Sequence, residues 1–246
     1  MKAVILGATK GMGRSIARAL AERGAELYLL GRDQEDLARS AADLEQRGRG
    51  KIRVHFGSCD LEKPEGFFTA LQEADRAMSG FDTVVVTAAL FAVQSVLENE
   101  LQYTHRLLTV NFANTVVFCE YVKQRLLAQG GGTLCVISSV AGERGRKPVI
   151  LYGASKAGLT AYLEGLDHKH HADGLRVITV KPGFVKTSMT EGMKPPPFAG
   201  EPDQVARDVV RAIERGTPVL YTPRIWALIM LIIRWLPRFV MRKINF

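Results

Sequence analysis

A single doubly wound α/β domain, with a seven-stranded, mainly parallel sheet and helices on both faces, is what this sequence predicts. Seven short apolar runs rich in β-branched residues, at 3–6, 27–30, 52–56, 83–87, 133–137, 176–180 and 218–221, alternate with helix-length stretches, the pattern of βαβ units. A glycine-rich turn follows the first run directly. The 246 residues, 47% apolar, suffice for one large core, and no linker or internal repeat divides them.

The first run leads through Gly7-Ala8-Thr9-Lys10-Gly11-Met12-Gly13 into a helix carrying Ile16, Ala17 and Leu20. Glycines between a first strand and a first helix let the chain turn sharply and let backbone N–H groups approach a pyrophosphate, so this is read as a Rossmann-type dinucleotide site. The second run ends in Gly31-Arg32-Asp33. A carboxylate there would bind a free ribose 2′-hydroxyl, whereas a cation would pair with a 2′-phosphate. Arg32, with Lys10 on the same side, favours NADP(H), with NAD(H) as the alternative. Asp33 competes, but its place just ahead of 34–47 suits a helix N-cap. After the third run, Asp60 and Leu61 are expected against the adenine, although Asp60 also suits a helix start.

Two long apolar helices are predicted, 102–129 and 152–171, which would cover one sheet face and could meet a second subunit. Gly130-Gly131-Gly132 stops the first of them before the fifth strand. Ser138-Ser139 ends that strand, where a hydroxyl can hydrogen-bond a substrate oxygen as charge develops. Tyr152 and Lys156, four apart on a helix, share one face. A phenol near pKa 10 is a poor base at neutral pH, and a neighbouring ammonium together with the positive charge of an oxidised nicotinamide would lower it. His168, His170 and His171 do not share one helical face, so no metal site is expected. The proline-rich stretch 194–202 cannot continue a helix and is read as a lid loop at the carboxyl edge of the sheet.

Cys59, Cys119 and Cys135 are widely spaced, odd in number and in no CxxC pair, which excludes a disulfide framework and points to a cytoplasmic protein. No export signal is visible. The formal charge is +8, and Arg224, Arg234, Arg238, Arg242 and Lys243 stand in a tail without an acid. That concentration argues against a nucleic-acid-binding stripe and for something local. The tail begins with nine apolar residues, 225–233, too few to cross a bilayer. The chain therefore divides into 1–222, the catalytic domain, and 223–246, a hydrophobic basic segment suited to peripheral contact at the inner face of a membrane through 225–246, or to packing on the domain or on a second subunit.

These motifs together closely resemble the short-chain dehydrogenase/reductase family, over nearly the whole chain. The resemblance implies hydride transfer between NAD(P)(H) and an alcohol or ketone, in a homo-oligomer, dimer or tetramer. It implies that Ser139 polarises the carbonyl, Tyr152 is the acid/base, Lys156 binds the nicotinamide ribose, and Asn111 holds a proton-relay water. It further implies cofactor contacts at Gly7, Thr9, Lys10, Gly11, Met12, Gly13, Ala88, Pro182, Gly183, Val185 and Thr187. Two positions depart from the family pattern. Leu6 replaces a threonine, and Thr87-Ala88-Ala89 replaces Asn-Ala-Gly, so a structural hydrogen bond at the cofactor loop is expected to be weakened. A narrower resemblance, at the site and tail, is to decaprenylphosphoryl-2-keto-ribose reductases. It implies a ketosugar on a polyprenyl phosphate, met by Arg144, Arg146 and Lys147. The alternatives are a 3-keto long-chain acyl or sphingoid substrate, or a non-catalytic nucleotide-binding scaffold.

Overall fold

The computed structural model describes residues 1–244. Its strands are β1 (Lys2–Leu6), β2 (Glu26–Gly31), β3 (Val54–Ser58), β4 (Thr83–Val86), β5 (Gly132–Ile137), β6 (Leu175–Pro182) and β7 (Val219–Thr222). They form one sheet in the order β3-β2-β1-β4-β5-β6-β7, and every pairing is parallel. A parallel sheet buried on both faces explains why its strands read as continuous apolar runs. Side chains alternate across it: Ala3 and Ile5 of β1 enter one core layer, Val4 and Leu6 the other.

The first layer is closed by α1 (Gly11–Ala21), α2 (Gln34–Arg47) and α8 (Pro202–Arg215), through residues such as Ile16, Leu37 and Val209. The second is closed by α3 (Phe67–Met78), α6 (Thr115–Ala128) and α7 (Ile150–His170), through Phe67, Phe118 and Leu163. Two short helices, α4 (Gln94–Asn99) and α5 (Leu101–Leu108), lead into α6.

The predicted helix over 102–129 is interrupted. Between α5 and α6, Thr109–Asn114 is a π-helical segment, and Thr115 Oγ1 donates to the Val110 carbonyl at 2.7 Å. Such wide turns recur at functional sites, and this one contains Asn111.

The order of the strands reverses at β1, which has β2 on one side and β4 on the other. Loops leaving the carboxyl ends of β1 and β4 therefore part there, which opens a crevice. The tail packs on as α9 (Ile225–Trp235) and α10 (Arg238–Met241). Among the described residues no helix is long and apolar enough to cross a membrane. The last two positions of the predicted 225–246 contact segment lie outside the described residues.

Candidate active site

The crevice is a cleft of about 990 Å³, open to solvent. Gly7, Thr9, Lys10, Gly11, Met12, Gly13, Arg32, Asp60, Leu61, Ala88 and Thr187 all line it, as do Glu62 and Met189. The glycine turn is a tight fit. A Cβ on Gly13 would stand 2.1 Å from the Gly7 carbonyl oxygen, and Gly7 has a φ of +92° that side chains oppose. At the start of α1 no side chain caps the first N–H groups, and no acid stands in the first turn. An anion on those N–H groups suits the helix dipole, so the turn fits a dinucleotide pyrophosphate.

Residue by residue, the second strand's end behaves as expected. Asp33 caps α2, its Oδ1 accepting the Asp36 N–H at 3.0 Å, and is thereby committed to the helix. Arg32 reaches the cleft and pairs with Glu62 at 3.2 Å. Arg106 joins from α5, both its donors on the Glu62 carboxylate, and this guanidinium holds the exposed carboxyl below its usual range. Lys10 pairs with Asp36 at 3.6 Å. Asp60 lines the cleft and also accepts the Glu62 N–H at 3.0 Å, so its two readings coexist. Nothing in the sequence pattern had pointed to Arg106.

The weakened hydrogen bond expected at Thr87 is corrected. Thr87 Oγ1 lies 3.0 Å from both the Leu6 and the Gly7 carbonyl oxygens and donates between them, tying β4 to the glycine turn. A threonine hydroxyl reaches what the longer asparagine amide was expected to reach, because it stands directly against the turn: a Cβ on Gly7 would be 2.6 Å from it.

Ser139, Tyr152 and Lys156 converge outside the lining of this cleft, beside Phe91, the neighbour of cleft-lining Leu90. The two adjacent serines are separated by geometry. Ser138 Oγ is 2.6 Å from Thr160 Oγ1 and 3.2 Å from the Lys156 carbonyl, facing inward, whereas Ser139 is hydrogen-bonded to Tyr152. Ser139 Oγ also accepts the Ala141 N–H at 3.1 Å. Burial pushes the Tyr152 phenol up to about 12, and the bond to Ser139 opposes that shift. Lys156 Nζ, on a residue only 2% exposed, donates to the Ile137 carbonyl at 3.0 Å and lies 5.8 Å from the Tyr152 ring centroid. Burial lowers that ammonium to about 8, so its own charge is the one in play. Phe91 stands edge-on to Tyr152, centroids 5.1 Å apart, and adds an apolar wall.

Asn111 does not present a free amide. Its Oδ1 accepts the Leu90 N–H at 2.7 Å and its Nδ2 donates to the Leu90 carbonyl at 2.8 Å. The side chain fixes the loop after β4, and its amide keeps a second N–H and a second lone pair beyond these two bonds.

The turn after β6 is shaped by the tail. Pro182 closes β6, and Gly183 lies under the indole of Trp226. Trp226 Nε1 donates to the Phe198 carbonyl of the 194–202 loop at 3.3 Å. Val185 sends its side chain into the core, which leaves only its backbone for a cofactor. Beside this turn, Lys181 and Tyr221 both donate to Oε1 of Glu143, which binds the serine loop to β6 and β7. The basic loop has work of its own: Arg144 donates to the Leu236 carbonyl at 2.8 Å and Lys147 to the Arg242 carbonyl at 2.6 Å. These carbonyls end α9 and α10, so both cations hold the tail rather than stand open for a substrate phosphate.

Residues 1–196 match the family model described as short chain dehydrogenase. The chain belongs to that family. It is an oxidoreductase accordingly, and the family uses a nicotinamide dinucleotide. It is similar to an uncharacterized oxidoreductase of Mycobacterium tuberculosis, 34% identical over 244 residues, covering 98% of this chain and 95% of the relative. It is also similar to carbonyl reductase family member 4 of Xenopus tropicalis, 27% identical over 219 residues, 85% of this chain and 89% of the relative. Among solved structures, levodione reductase matches with a TM-score of 0.82 at 20% identity, covering 90% of this chain and 95% of that one. An actinorhodin polyketide ketoreductase with NADPH matches at 0.80 and 21%, over the same shares. At these identities the two structures speak for the fold.

Proposed function

We propose that this oxidoreductase reduces a lipid-like ketone to a secondary alcohol with NADPH, in the cytoplasm at the inner face of a membrane. The observation that carries the reading is the convergence of Ser139, Tyr152 and Lys156 beside Phe91, next to a cleft that holds an anion-ready turn and two cations.

Reduction needs a hydride at the carbonyl carbon and a proton at its oxygen. The nicotinamide, bound along the cleft, would supply the hydride. Tyr152 is the proton donor. A phenol raised to about 12 stays protonated at neutral pH, which suits an acid that must give its proton up only as negative charge grows on the substrate oxygen. Ser139 shares that oxygen by hydrogen bonding, in the manner of an oxyanion donor. Lys156, beneath the tyrosine, holds the ribose and presents positive charge that stabilises the phenolate left behind. The Glu62-bound Arg32 and the neighbouring Lys10 offer the 2′-phosphate its partners, while Asp33 is committed to capping α2. These features support NADP(H) over NAD(H).

For the substrate, the relative named a carbonyl reductase supports a ketone, and the apolar tail beside the lid supports a lipid-like one. The lipid-linked ketosugar of the narrower resemblance and the 3-keto long-chain lipid share this chemistry. Exposed Phe112 and Val117 along the α5–α6 stretch support assembly as a dimer or tetramer.

The test is NADPH oxidation against a panel holding a polyprenyl-phosphate ketopentose, a 3-keto long-chain lipid and short soluble ketones, by wild type and Tyr152→Phe, with NADH alongside. Turnover that prefers NADPH, favours one lipid ketone and falls at least a hundredfold in Tyr152→Phe is the expected result. Tight NADPH binding without turnover of any ketone would instead make the protein a nucleotide-binding scaffold.

A further inference from the structure

Helix α9 is apolar all round, which an ordinary surface helix is not. At 100° per residue, Trp226, Ile229, Met230 and Ile233 fall on one side and pack with Val140 and Tyr221. Ile225, Leu228, Leu231, Ile232 and Trp235 fall on the other and are exposed, Trp235 by 80%, and Phe239 of α10 is exposed beside them. A contiguous exposed apolar face of this kind marks an interaction surface. Its charge says what it meets. Arg224, Arg234, Arg238, Arg242 and Lys243 are all exposed, and among the described residues none of them forms an ion pair. No acid follows Glu214 anywhere in the sequence. Five unpaired cations around an apolar face would repel a second copy of the same face, and they complement an anionic headgroup layer.

From this geometry we infer that the outer face of α9 and α10 docks on an anionic lipid bilayer, lying in its surface with Trp235 and Phe239 among the lipid chains. The eleven residues of α9 span about 16 Å along the helix axis, well short of the hydrocarbon thickness, so the helix lies on the membrane rather than across it. The Arg144 and Lys147 bonds to the ends of α9 and α10 hold this face to the body of the protein as a rigid plate. Through Trp226 and Phe198 the plate also adjoins the lid, so docking sets the ketone end of the cleft beside the lipid. The inference deepens the lipid-ketone reading by naming its partner.

The two tryptophans of the chain make the test direct, because they stand on opposite faces. The full-length protein is mixed, without NADPH or ketone, with vesicles of phosphatidylcholine alone or of phosphatidylcholine with phosphatidylglycerol. In Trp226→Phe, the remaining Trp235 is expected to shift its emission to the blue and to be quenched by brominated lipid chains, with the anionic vesicles only and less at high salt. In Trp235→Phe, Trp226 is expected to do neither. Replacing Arg238 and Arg242 together by glutamine should lower partition about tenfold or more. A Leu228→Ser, Ile232→Ser variant should lose partition while turning over a short soluble ketone as wild type does. Equal binding to neutral vesicles would overturn the charge argument. No binding, with sedimentation showing that the serine variant dissolves a dimer, would give the face to a second copy of the chain. Because the vesicle measurements contain neither cofactor nor ketone, failure of the reductase reading leaves the partition result standing, and failure of partition leaves the reductase reading open.

Discussion

The Trp226 indole lies directly on Gly183: a Cβ added to that glycine would stand 2.0 Å from Nε1. The tail thereby holds both the turn that closes β6 and, through its bond to Phe198, the proline-rich 194–202 loop. Gly183→Ala must push the indole away, since the obstruction is a large ring wedged between two loops. The expected outcome is weaker NADPH binding by tenfold or more and a lower Tm. Trp226→Leu in the same chain should restore part of both, and a double-mutant cycle by NADPH titration and thermal melting measures that coupling.

Lys156 gives a pH-dependent prediction. Burial lowers its ammonium from the ordinary 10.5 to about 8, so between those values the unfolded chain binds more protons than the folded one. Its destabilising effect is complete below pH 8 and fades as pH rises towards 10.5. Lys156→Met should therefore be more stable than wild type by about 1–3 kcal/mol at pH 7, with the gain shrinking through that window, while ketone reduction is lost. Urea unfolding at pH 7, 9 and 10.5 checks the sign.

Arg32 should decide between the two nicotinamide cofactors. Arg32→Ala removes a cation from the cleft and leaves Glu62 to Arg106 alone, so a 2′-phosphate there loses its partner. KM for NADPH is expected to rise by ten- to a hundredfold while KM for NADH changes less than threefold. An equal loss for both cofactors would place Arg32 in general packing instead.

Thr87 is expected to matter through its hydroxyl alone. Thr87→Val keeps the shape and leaves the Gly7 carbonyl without this donor, while the Leu6 carbonyl keeps the Thr87 and Ala88 N–H groups, at a cost of about 1–3 kcal/mol. Thermal melting should show the loss, and dinucleotide affinity should fall with it, because the tie fixes the glycine turn.

The Ser139–Tyr152 pair predicts the direction of a pH profile. With the phenol at about 12, reduction should stay level across neutral pH and fall only in strong alkali as the proton donor is lost. Ser139→Ala removes the bond that opposes the upward shift, so its rate should fall while the alkaline limb moves higher in pH.

What the sequence determined by itself was everything local or periodic. Strand runs, the glycine turn, the Asp33 cap and the helix that carries Tyr152 and Lys156 at spacing four all follow from short-range patterning, and each stands within about two residues of where it was expected. The apolar tail helix was legible for the same reason.

Only the tertiary structure decided how distant segments share one spot. Arg106 meets Glu62 across 44 residues, Thr87 reaches back to the glycine turn across 80, and Arg144 holds the end of α9 across 92. The choice of Ser139 over Ser138, the commitment of the Asn111 amide to Leu90 and the shift of Lys156 are of this kind. A hydrogen bond or a buried charge depends on what packs around it in space, and spacing along a chain carries no record of that.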